Sequence, residues 1–102
     1  MIDWTAVSNY PGAELVLPGL HDAVAGRLTI ASCLVSIARP LIEGSGLAEH
    51  LPSIIYVAEP EHALYRLLRD EGDNAYGRYN SLLRRLVSFE QAVRHARSRA
   101  AA

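Results

Sequence analysis

Apolar residues recur at three- and four-residue intervals over two long stretches of the chain, the spacing that lines up one face of an α-helix. In the first, Leu20, Val24, Leu28, Ala31, Val35 and Ala38 predict a long helix, entered through Pro18-Gly19 with Pro18 at its first position and ended by Pro40. Gly26 falls inside it at a cost of about 1 kcal/mol relative to alanine, and marks a bend or a close helix crossing. The second half of this helix is apolar nearly all round. Ile30, Cys33, Leu34, Val35, Ile37 and the alanines leave only Thr29, Ser32 and Ser36 as a narrow polar arc, whose hydroxyls can bond back to carbonyls one turn earlier. The stretch between Arg27 and Arg39 is therefore expected to be sheltered on every side, by its own fold or by a second copy of the chain.

In the second stretch, Ala75, Tyr79, Leu82, Leu86, Phe89, Val93 and Ala96 alternate spacings of four and three. These heptad positions predict a last helix from Asn74 to about Arg97, with Leu83, Val87 and Tyr76 widening its stripe toward a second neighbour. The Arg- and Ala-rich end past Val93 is expected to fray. Upstream, Glu59-Pro60-Glu61 starts a helix, with proline at the first position and carboxylates near the positive end of the dipole. Leu64, Leu67 and Leu68 are its buried stripe. Gly72 stops it and Asp73 caps the next helix, which makes the pair an αα-hairpin.

Shorter signals fill the remainder. Asp3 caps a helical turn over Trp4 to Ser8, which Pro11-Gly12 closes. Leu15-Val16-Leu17 and Ile54-Ile55-Tyr56-Val57 are the two strand-like runs; because a two-stranded ribbon is marginal alone, residues 54–57 are expected as extended coil packed over the bundle. Gly44-Ser45-Gly46 is a break, Leu47 to Leu51 one helical turn, and Pro52 its end. The expected fold is all-α: one helical domain over residues 1–102, a small bundle with a central apolar helix and a C-terminal αα-hairpin.

Composition narrows the class. At 102 residues, half of them apolar and 21% charged, the chain is long enough for one core and too apolar to be disordered. Ten arginines against eleven acids leave a net charge of −1, so no global field draws it to nucleic acid or an anionic membrane. Cys33 stands alone, which excludes an intrachain disulfide and a cysteine-based zinc site and fits a cytoplasmic setting. The N-terminus lacks a basic region followed by an apolar run, so no secretory leader is expected, and the apolar stretch from Leu28 to Ala38 is too short to span a membrane.

Candidate chemistry is sparse. Of the histidines at 21, 50, 62 and 95, only Glu59-x-x-His62 has the spacing of a helical metal pair, and the second half of such a site is missing. No metal, cofactor or catalytic residue is expected: the chain has neither a nucleophile elbow nor a Gly-rich phosphate loop, and Cys33 lies where a thiolate is disfavoured. Charge is unevenly spread. Residues 1–50 carry five acids and two arginines, whereas residues 76–102 carry six arginines and Glu90 alone. Arg78, Asn80, Arg84 and Arg85 could grip phosphates on the last helix; the favoured reading is a solvated face paired to acids of the N-terminal half, since binding stripes come with strongly basic domains. Tyr56, Tyr65, Tyr76 and Tyr79, with Arg78 and Asn80, could line an anion-binding cleft near the hairpin turn; the favoured reading is that their hydroxyls cap the core edge. Glu90, at the edge of the apolar stripe, needs Arg94 or a second subunit as partner. The function expected is interaction or regulation without catalysis, as a homodimer through Ile30, Leu34, Ile37, Tyr79, Leu86 and Glu90. Nucleic-acid or phosphate binding by the arginine face is the alternative.

Overall fold

Between Ala25 and Thr29 the backbone turns back on itself, and side chains and amides on both sides hold the turn. In the computed structural model, which describes residues 4–49 and 51–101 with side chains to residue 99, α1 is Trp4–Ser8, α2 is Ala13–Val24 and α3 is Ile30–Ile37. The single helix expected from Leu20 to Ala38 is thus two helices. Gly26, at φ 73°, ends α2 in a left-handed conformation that glycine adopts without steric cost. Its N–H bonds the Ala23 carbonyl at 3.2 Å while the Arg27 N–H bonds that of Asp22 at 2.9 Å, a Schellman pattern. Thr29 then opens α3 with a capping box. The Ser32 N–H donates to Thr29 Oγ1 at 3.0 Å and the Thr29 N–H to Ser32 Oγ at 2.9 Å. Asp22 ties the two ends, accepting from the Thr29 hydroxyl at 2.8 Å and from the Arg27 guanidinium at 3.0 Å.

One proline differs from expectation. Pro18 lies inside α2 rather than at its start, so α2 absorbs Leu15-Val16-Leu17 as helix. Gly19 sits where α2 crosses α3: a Cβ there would collide with the Ala31 carbonyl and come within 2.6 Å of Val35 Cγ2. Pro40 does end the apolar helix as expected: α3 stops at Ile37, the chain breaks at Ala38, and a short α4 (Arg39–Gly44) begins with the proline in its first turn. The reason is local, because Pro40 has no N–H for the Ser36 carbonyl and its ring would clash with it. Residues 45–49 form turns instead of a helical turn, with Leu47 buried among them. Asp3 and His50 lie outside the described residues.

The C-terminal hairpin forms as read, with α5 at Pro60–Glu71 and α6 at Ala75–Ala101. The cap position belongs to Asn74, one residue later than Asp73, and its carbonyl takes the Arg78 N–H at 3.0 Å. Helix α6 also continues through Ala101 where fraying was expected. Its 27 residues correspond to about 40 Å of helix, most of the 45 Å long axis of the molecule.

Helix α3 is the centre, with α2 on one side and α5 on the other. Cys33, Leu34 and Val35 are wholly buried; Ile30, Ala31 and Ile37 are half-buried, and Leu28, in the turn, is 51% exposed. The third cover is the extended segment 54–57, which is coil as expected. The Ile55 N–H bonds the Ala23 carbonyl at 3.1 Å, and the Val57 N–H bonds Ser36 Oγ at 2.8 Å. Ser36 in turn donates to the Ser32 carbonyl, which gives a buried hydroxyl both of its partners. Helix α6 closes the core through Leu86, Phe89 and Val93. The turn before α2 docks on it so tightly that a Cβ on Gly12 would lie 2.6 Å from the Arg85 carbonyl, and the Tyr10 ring sits 6.2 Å from that of Phe89. The fold is all-α, a small bundle with an apolar helix at its centre.

Candidate interaction surface

Helix α6 presents two rows of side chains. The inward row is the heptad stripe, in which Ala75, Leu86, Phe89 and Val93 are buried and Tyr79, Leu82 and Ala96 half-buried. One residue further on, about 100° around the helix, runs a second row of Tyr76, Asn80, Leu83, Val87, Glu90 and Arg94, spaced four, three, four, three, four. The sequence reading gave Tyr76, Leu83 and Val87 a second neighbour within the chain. Among the described elements none covers them: Tyr76 is 71% and Val87 46% exposed, with Leu83 half-buried at the boundary. A shallow groove of about 660 Å³ follows this face, lined by Tyr76, Asn80, Leu83, Arg84 and Val87.

The interface residues read from sequence are only partly available to a second copy. Leu34 and Leu86, at 0% and 2% exposure, lie inside the monomer. They are corrected to core residues, because α2, α5 and segment 54–57 wrap α3 without help from a twin. Ile30 and Ile37 are half-buried and pack against the core edge. Tyr79 meets Tyr65 edge to face at 5.8 Å. Glu90 is half-buried, and among the described residues it forms no ion pair with Arg94 or Arg97.

The arginine face is partly neutralised. Arg85 pairs with Glu14, seventy-one positions away, and its hydrogen bond holds the Glu14 carboxyl below the usual range. Arg78 bonds Glu71 at 2.7 Å. Of the four candidate anion-binding residues, Asn80 and Arg84 remain together in the groove. Three of the four tyrosines gather at the hairpin turn, Tyr79 against Tyr65 and Tyr76 beside the same cavity as Tyr65; Tyr56 lies apart, under Arg39, whose guanidinium carbon is 4.5 Å from the ring centroid and whose Nε bonds Glu43 at 2.7 Å. Burial, with Glu43 nearby, pushes the Tyr56 phenol up. The hairpin turn does hold a polar cavity of about 370 Å³, lined by Tyr65, Arg69, Asp73 and Tyr76. Among the described residues Arg69 is the cation that lines it, and it carries no sequence signal beyond its charge.

Catalytic chemistry finds little support in the remaining groups. Burial raises the Cys33 thiol above its ordinary value, which disfavours the reactive thiolate. His62 and His95 are exposed, and His21 Nδ1 is 3.0 Å from the Arg27 guanidinium. Among the described residues no group of three or more His, Cys, Asp or Glu is placed to hold a metal, and no helix is long and apolar enough to cross a membrane. Glu59, at φ 47°, is the N-cap residue of α5, and its carbonyl accepts from the Ala63 N–H at 3.0 Å. No family model, no curated protein and no solved structure matches this chain.

Proposed function

We propose that the protein acts through protein contacts rather than chemistry, as a homodimer joined by the outer face of α6. The observation that carries this reading is the exposure of Tyr76 and Val87 on a heptad row that none of the described elements covers. Heptad spacing suits helix pairing, because it keeps one seam facing a partner over several turns. Apolar side chains at that spacing gain by meeting their equals and lose nothing the monomer fold uses. Phosphate binding is the weaker reading, since Arg78 and Arg85 already answer carboxylates.

Sedimentation or light scattering over a concentration series tests this directly. The expected result is a mass that rises to twice the chain mass by high micromolar concentration. Replacing Tyr76→Ser together with Val87→Ser returns it to the monomer with little change in melting temperature, because both side chains are exposed. A monomer mass throughout the series overturns the proposal. Salt-dependent retention on a phosphate matrix, lost with Arg84→Ala, favours the phosphate reading instead.

A further inference from the structure

Resting on that reading, we propose that the second copy lies antiparallel, its α6 against the first about a two-fold axis level with Arg85. The row itself selects this arrangement. Its six positions are symmetric about residue 85, so reversing one helix sets Leu83 opposite Val87, Asn80 opposite Glu90 and Tyr76 opposite Arg94. An apolar pair then occupies the centre of the seam, twice over. On either side, the Asn80 amide donates to a Glu90 carboxylate that has no ion-pair partner among the described residues of its own chain. At the ends, the Arg94 guanidinium meets the face of the 71% exposed Tyr76 ring.

Other arrangements waste these groups. Parallel pairing sets every residue against itself, with Glu90 on Glu90 and Arg94 on Arg94, and like charges across a helix seam repel. Sliding the antiparallel pair by a heptad one way brings Glu90 against Val87 and Arg94 against Leu83. The opposite slide places Asn80 on Leu83 and leaves both charges outside. Arg84 flanks the axis, one helical turn from the point where the other copy's Glu90 arrives, so its charge is answered across the seam. The row from residue 76 to 94 is about 27 Å long, which places the interface at the small end of specific contacts.

Disulfide trapping in the full chain tests orientation separately from association. Cys33 stays in place, since it is fully buried. Asn80→Cys mixed with Glu90→Cys is expected to give a crosslinked dimer on mild oxidation, while neither variant alone does. In an antiparallel pair two identical positions at 80 are about 15 Å apart along the axis, beyond the roughly 7 Å limit between the Cα atoms of a disulfide. Crosslinking of either variant with itself, or a dimer mass with no crosslink in the mixture, overturns the register while leaving the dimer standing. A monomer mass for the unmodified chain overturns both.

Discussion

At Asp22 one carboxylate takes hydrogen bonds from the Thr29 hydroxyl and the Arg27 guanidinium, joining the end of α2 to the start of α3. Those bonds, Thr29 first, hold its carboxyl below the ordinary value. A lowered folded value means that the unfolded chain binds its proton first as acid is added. The contribution of the junction is therefore complete above the unfolded carboxyl range, about pH 5 and higher, and is lost as the pH falls through the lowered folded value. Melting curves between neutral and strongly acid pH should show this. The wild type is expected to lose melting temperature on the acid side more steeply than Asp22→Asn, which keeps the shape but has no proton to take up. Equal acid slopes would show that the carboxylate adds nothing to the junction. Glu14, lowered by Arg85, titrates in the same direction in both proteins and cancels from the comparison.

Between elements, the crossing of α2 and α3 is set by Gly19. Alanine there gains about 1 kcal/mol of helix propensity, yet its methyl would meet the Ala31 carbonyl, which is backbone and cannot swing aside. Overpacking costs about 1–3 kcal/mol, so on balance the clash wins, and Gly19→Ala is expected to destabilise the protein by about 1 kcal/mol in urea titration. A gain in stability would mean that the helices separate freely. The same two helices show where sequence periodicity stops. Their apolar stripe runs unbroken from Leu20 to Ala38, so counting spacing gives one helix. The break lies in short-range polar chemistry: Gly26 as a left-handed stop and a Thr29–Ser32 capping box that lacks the usual Glu or Gln. By contrast, the α5–α6 hairpin was legible because Pro60 and Gly72 mark its ends and the Ala75-to-Ala96 row has a single period. Tyr76 and Val87 were read as part of that wider stripe. That they face solvent depends on how many helices the chain can supply, which spacing along one helix does not encode.

At the scale of the molecule, two helical hairpins, α2–α3 and α5–α6, pack through α3 and α5, and α6 runs past them along the 45 Å axis. Most of the exposed arginine charge travels with α6, while Glu14 and Asp22 on α2 already answer Arg85, Arg27 and Thr29. The strand-like but unpaired stretch between the hairpins is bonded once near the end of α2, at the Ala23 carbonyl, and once in the last turn of α3, at Ser36 Oγ. Its two anchoring amides, Ile55 and Val57, are held by buried acceptors although no regular structure surrounds them. Hydrogen–deuterium exchange should find these two N–H groups as slow as those of α3, opening only when the whole protein opens, while the neighbouring Ser53 exchanges within the dead time. A loop would then serve as the latch whose release reports global unfolding.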